Sequence, residues 1–107
     1  MLRLNEIAKD AEFIAKKRNI PIGTLATLKH CAGEVVEATE AYSVYEENFG
    51  TKKAPLKKED LASELADIII CVLTASAVEE INIEQAVIKA MAQNAERAGV
   101  KYVYEES

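Results

Sequence analysis

Three features of the sequence predict an all-α fold. Apolar residues recur every three or four positions over long stretches. The apolar set is mostly Ala, Val, Ile and Leu with no Trp, and only two prolines and four glycines interrupt 107 residues. With no repeat, low-complexity tract or long linker in view, residues 1–107 read as one domain. Half the residues are apolar, ample for a core, yet a chain this short buries only a modest fraction of its surface. The expectation is therefore a four-helix bundle completed by oligomerisation, as a homodimer or homotetramer.

Leu4, Ile7, Ala8, Ala11, Ile14 and Ala15 are spaced three and four apart, which predicts an amphipathic helix over 4–18, ended by Pro21 and Gly23. Thr24, a good N-cap residue, is expected to open a second helix running to about Asn48. Leu25, Leu28, Ala32, Val35, Val36 and Tyr42 keep the helical period across the single Gly33. At about 1.5 Å per residue such a helix is roughly 37 Å long, more than one small globule needs, which predicts packing across a subunit interface. Residues 49–55 form the clearest loop.

A third helix is expected from near Lys57, through Leu61, Leu65, Ile68, Ile69, Val72 and Leu73, to about Glu80. It is apolar on nearly every side around Ile68–Val72, the mark of a central helix. Asn82 followed three residues later by Gln85 predicts a capping box for a fourth helix over 83–97, with Ala86, Val87, Ala90 and Met91 turned inward. Gly99 closes it, and 102–107 is left as an extended tail.

Eighteen acidic against thirteen basic residues give a formal charge of −5, which argues against nucleic-acid or anionic-membrane partners. The basic clusters Lys16-Lys17-Arg18 and Lys52, Lys53, Lys57, Lys58 read as solvated ends of elements more than as phosphate contacts, and the second would be useful should a metal site lie near it. Cys31 and Cys71 form neither a disulfide framework nor a zinc spacing, and no charged-then-apolar leader precedes them. A cytoplasmic protein with small core thiols is expected. The apolar run Ile68–Val78 is too short to span a bilayer.

The acids need more explanation than the bases. Glu64 and Asp67 share one helical face at the edge of the Ile68-Ile69-Ile70 run, and Glu34 and Glu37 repeat the arrangement among Val35, Val36 and Ala38. Alone, either pair is what an ordinary solvated helix face carries. If the two helices pack side by side, four carboxylates converge with no Lys or Arg inside either segment, and like charges beside a dry core call for a positive partner. An all-oxygen set selects Mg²⁺ or Mn²⁺ over zinc, and a di-iron bundle would need two E-x-x-H pairs where the chain has one histidine, His30. His30 itself reads as a packed or surface residue. Tyr42, Tyr45, Phe49 and Phe13 are candidate stacking surfaces, though residues of this kind are more often core or interface.

Gly33-Glu34-Val35-Val36-Glu37-Ala38-Thr39-Glu40 and Glu64-Leu65-Ala66-Asp67 resemble the paired E-x-x-E and E-x-x-D motifs of the all-α nucleoside triphosphate pyrophosphatases, the superfamily of MazG, the dCTP pyrophosphatases and the dimeric dUTPases. Asn82-Ile83-Glu84-Gln85-Ala86 resembles that family's D-L-x-x-A helix start. Met91, Asn94 and Arg97 fall where its K-M-x-x-N-x-x-R ending has Met, Asn and Arg. The resemblance covers about two thirds of the chain.

It implies a MazG-like bundle in which Glu34, Glu37, Glu64 and Asp67 coordinate Mg²⁺, Asn94 and Arg97 lie near the phosphates or sugar, and a nucleoside triphosphate is hydrolysed to monophosphate and pyrophosphate. With a metal-bound water as nucleophile no nucleophilic side chain is needed, and any one of the four carboxylates could take the water's proton. Ala90 stands at the family's Lys, so that phosphate contact falls to Lys89 or a loop lysine, or is missing. Asn82 replaces an Asp, and the first helix lacks the Trp and His of the dCTP-specific members. Two alternatives follow from the same residues: a phosphoribosyl-ATP pyrophosphohydrolase, and a helical oligomerisation module that binds nucleotide without turnover.

Overall fold

The computed structural model describes residues 3–103, and among them it contains four α-helices and no strand: α1 (Leu4–Lys17), α2 (Thr24–Glu47), α3 (Ala54–Val78) and α4 (Ile83–Arg97). The last residues of the expected tail, 104–107, lie outside the described residues. The fold is all-α, as the periodicity predicts.

Three helices end in the same way. The backbone turns left-handed at Asn19 (φ 56°), Glu80 (φ 55°) and Gly99 (φ 71°), and the next residue donates its N–H five residues back: Ile20 to Ala15, Ile81 to Ser76 and Val100 to Ala95, at 3.0, 2.9 and 2.9 Å. This closure satisfies carbonyls that the helix end leaves free. The expected stop at Gly99 is found. α1, however, stops at Asn19, before Pro21 and Gly23, because Asn tolerates the left-handed region better than most residues other than Gly.

Two helix starts differ from expectation. Gly23 occupies the N-cap of α2, and the Thr24 hydroxyl donates instead to the Glu79 carboxylate, joining the start of α2 to the end of α3. α3 begins three residues before the expected Lys57, with Pro55 in its first turn, where the missing N–H has no helical partner to lose. The α2–α3 connection is correspondingly tight: Gly50 takes φ 80°, and the Thr51 hydroxyl donates to the Asn48 carbonyl at 2.7 Å.

α2 and α3 form an antiparallel hairpin packed along its length, and α1 lies on α3. Small side chains make this close packing work. Ala8, Ala15, Ala38, Cys71, Leu73 and Ala75 are the buried apolar residues, joined by Thr27, Thr74 and Ser76. The Thr74 and Ser76 hydroxyls donate to the carbonyls one turn back, of Ile70 and Val72, at 2.8 and 2.9 Å, so neither is left unpaired in the core.

α4 is held differently. The Asn82 side chain accepts from the Gln85 N–H at 3.2 Å, as the cap signal predicts. Asn5 of α1 adds a second clamp: its Oδ1 accepts from Ile83 N–H and Glu84 N–H at 3.0 and 3.3 Å, its Nδ2 donates to Asn82 Oδ1 at 2.8 Å, and its backbone N–H donates to Glu84 Oε1 at 3.2 Å. Beyond this clamp α4 has no buried residue. Ala86, Val87, Ala90 and Met91, expected inward, are exposed, and only Ile83, Glu84, Ile88 and Ala95 are half-buried. The reason is tertiary: α4 packs on α1 and makes no extended contact with α2 or α3.

The same openness marks the middle of α3, where Ile69, Ile70 and Val72 are exposed although the sequence predicts burial on every side. The radius of gyration is 16.5 Å, against about 13 Å for a compact chain of this length. By length and composition α3 meets the requirement for a membrane-crossing helix (mean hydropathy 1.9), a test that the core helices of soluble domains also pass.

Candidate metal centre

Glu34 and Glu37 sit one turn apart on the face of α2 that meets α3, and Glu64 approaches them from α3. One carboxylate oxygen of each lies within 4.8 Å of the other two. Glu34 is buried, Glu64 half-buried and Glu37 exposed, so the group runs from the hairpin interior to its surface. The antiparallel pairing of α2 and α3 is what brings together acids about thirty positions apart in sequence.

The polar contacts of the group are incomplete. Glu34 Oε1 accepts from His30 Nε2 at 3.0 Å. Glu34 Oε2 and Glu64 Oε2 are buried and have no hydrogen-bond partner among the described residues. Burial pushes the Glu64 carboxyl above the ordinary carboxylate range. The negative charge of Glu37, a side-chain hydrogen bond with Glu37, and the charges of Glu34 and Asp67 push it further in the same direction. Buried acceptors without donors are rare in folded proteins, and no Lys or Arg pairs with these acids among the described residues. A hard divalent cation would satisfy both orphaned oxygens and neutralise the repulsion, so the donor set fits Mg²⁺ or Mn²⁺.

Of the four acids singled out from the sequence, three converge. Asp67 is exposed, one turn beyond Glu64. It is not part of the close group, but its charge acts on Glu64 and its side chain lines the adjoining cavity together with Glu34. Lys89, Asn94 and Arg97 are exposed on α4 and make no side-chain hydrogen bond or ion pair among the described residues. Within one chain the fold does not bring them to the acids, because α4 packs on α1. Sequence reasoning missed His30 as part of the site. It lies at the surface, as read, yet it holds the one buried acid, and the signal was its i,i+4 spacing from Glu34.

A cavity of about 620 Å³ opens between α1 and the α2–α3 hairpin, with Glu34 and Asp67 in its wall. Cys71 lines it too. Burial pushes its thiol up, and the charges of Cys31, Glu34 and Asp67 add to the effect, which keeps the sulfur protonated and unreactive. Both cysteines are free. These aromatic residues lie elsewhere: Tyr42 and Tyr45 at the end of α2 and Phe49 just beyond it pack edge to face in sequence, with centroids 6.3 and 4.8 Å apart, and Phe13 lies under the Lys17 ammonium at 5.5 Å. Comparison with family models, with curated proteins and with solved structures finds no match to this chain.

Proposed function

We propose that the chain is a homo-oligomeric, Mg²⁺-dependent nucleoside triphosphate pyrophosphohydrolase that converts a canonical or damaged triphosphate to its monophosphate and pyrophosphate. One observation carries the reading: Glu34, Glu37 and Glu64 bring their oxygens within 4.8 Å of one another while two of those carboxylates each leave a buried oxygen unpartnered. The motif resemblance around Glu34–Glu40 and Glu64–Asp67 supplies the substrate class.

In this reading Glu34, Glu37 and Glu64 hold the ion, and Asp67 stands one turn away as the fourth acid. The bound ion supplies charge neutralisation for a triphosphate and acidifies water, so no nucleophilic side chain is required. His30 holds the Glu34 carboxylate through Oε1, while Oε2 is buried without a partner and free to take a ligand. The phosphate contacts assigned to Lys89, Asn94 and Arg97 come from a second copy, since α4 lies away from the acids of its own chain. The exposed Val35, Val36, Leu65 and Ile69 flank those acids and offer the apolar surface on which a second copy would pack.

The test is pyrophosphate release from a broad panel of triphosphates with and without Mg²⁺. Release from at least one, dependent on the ion, is expected, and no release from any at high protein concentration ends the enzymatic claim. The second reading, nucleotide binding without turnover, is favoured by Ala90 at the position of the family's lysine. Tight binding by calorimetry with no hydrolysis would select it.

A further inference from the structure

The register of α2 against α3 is pinned at two places. The Thr24 hydroxyl at the start of α2 donates to the Glu79 carboxylate at the end of α3. Further along, Glu37 of α2 has a carboxylate oxygen within 4.8 Å of one on Glu64 of α3. Cys31 and Cys71 lie between these pins. Cys31 is seven residues past Thr24, and Cys71 is eight before Glu79. From the other pin, Cys31 is six residues before Glu37, and Cys71 is seven past Glu64. Paired helices rise equally per residue, so both counts set the two cysteines opposite each other to within one residue. Both also face the interface. Cys31 is half-buried and Cys71 buried, and each belongs to a run of covered positions spaced alternately four and three apart: Thr27, Cys31, Glu34 and Ala38 on α2, and Glu64, Ile68, Cys71 and Ala75 on α3. Of the side-chain charges that act on Cys71, that of Cys31 outweighs those of Glu34 and Asp67. The next layer sets Thr27 opposite Ala75, and small side chains there bring the backbones near the separation of at most about 7 Å between Cα atoms that a disulfide needs.

We propose that Cys31 and Cys71 form a reversible oxidation site, closing an intrachain disulfide that staples α2 to α3 one helical turn from Glu34. The oxidant is a hydroperoxide. The sulfur of Cys31, the more exposed of the two, gives up its proton and attacks a peroxide oxygen. The O–O bond breaks, the departing oxygen takes up a proton, and Cys31 is left as a sulfenic acid. The Cys71 sulfur then attacks the Cys31 sulfur. The S–S bond forms, the S–O bond breaks, and the leaving hydroxide carries off the Cys71 proton as water. The two thiols lose two electrons, and one hydrogen peroxide becomes two waters. Burial keeps Cys71 from meeting solvent reagents by itself, so its part is to resolve the sulfenic acid set opposite it. A dithiol reverses the bond by exchange. Closing the loop between residues 31 and 71 restricts the unfolded chain, which makes the oxidised protein the more stable form. None of this depends on turnover of a nucleotide.

The test treats the full chain with hydrogen peroxide, alkylates it under denaturing conditions without reductant, and reads the intact mass. Most chains are expected to be single, lighter by two hydrogens and closed to the alkylating reagent, with a peptide that joins Cys31 to Cys71. Dithiothreitol is expected to restore both thiols. Thermal unfolding of the oxidised chain is expected at least about 5 °C above that of the reduced one. Two alkylatable thiols after peroxide, sulfinic acid at either sulfur without a cross-link, or a bond between two copies overturns the proposal. So does a cross-linked chain that melts no higher than the reduced one, because the bond then forms only by distorting the hairpin. These readings are made on the wild type and need no variant to fold. In Cys71→Ser, oxidation is expected to stop at a sulfenic acid captured on Cys31 by dimedone. In Cys31→Ser, the Cys71 thiol is expected to stay unmodified, and dimedone captured there overturns the assigned order of steps.

Discussion

The α2–α3 hairpin and α4 are built on opposite terms. In the hairpin, two long helices approach closely over Ala38, Cys71, Leu73 and Ala75, and they carry three acids into a partly dry interface where two oxygens have no donor. α4 has good caps, a clean amphipathic pattern and no unsatisfied group, yet none of its residues is fully buried and it is fastened at one end by Asn5. Local signals that agree with each other thus produced a helix without a core, while the region carrying electrostatic conflict is the one packed tightest. Conflict tolerated at the centre of the best-packed element points to a ligand, and unused apolar surface on a well-formed helix points to a partner.

The sharpest way to break this comparison is at Glu34, the buried member of the group. Glu34→Gln is expected to lower Mg²⁺-dependent pyrophosphate release by about a hundredfold or more while the far-ultraviolet circular dichroism stays that of the wild type. Activity retained within a few fold would mean that the acids do not act on a metal. Next in size is the interface. Ile69→Lys places a charge on an exposed apolar face of α3, and light scattering is expected to show a smaller oligomer with release reduced about tenfold or more. An unchanged mass would show that this face does not bind a second copy.

A smaller effect is expected at the clamp. Asn5→Ala removes the acceptor of two helix N–H groups and one donor to Asn82, and should cost about 1–2 kcal/mol, measured by denaturant unfolding. Hydrogen exchange should rise in α4 and stay protected in the hairpin, because only α4 depends on that contact.

The pH dependence separates the regions by sign. The folded Glu64 carboxyl holds its proton more tightly than an unfolded one, so its contribution to the metal-free fold is present at low pH and is lost as pH rises through the folded titration. Metal-free protein is therefore expected to lose thermal stability with rising pH just above the ordinary carboxylate range. Glu64→Gln is expected to flatten that slope and to melt higher than the wild type at neutral pH without metal.

The four helices were legible in the sequence because their apolar period is long and regular, and Asn82 and Gly99 marked α4 at both ends. The end of α1 at Asn19 was less legible, since Pro21 and Gly23 are the louder punctuation. The inward face assigned to Ala86, Val87, Ala90 and Met91 failed for a different reason: periodicity shows which face is apolar, but not whether anything in the same chain covers it. At the site, the spacing of Glu34, Glu37 and Glu64 was enough to bring them together once α2 and α3 pair. Asp67 followed the same spacing yet points outside the close group. The α1 cavity gave no signal, because its walls come from three elements and the connection before α2.

The central claim is that Glu34, Glu37 and Glu64 together bind a hard dication, and Mn²⁺ titration followed by electron paramagnetic resonance tests it most directly. The account predicts saturable binding by the wild type, competed by Mg²⁺, and weakened at least tenfold in Glu64→Gln under the same conditions. Equal Mn²⁺ affinity in the two proteins, or none in either, would contradict it.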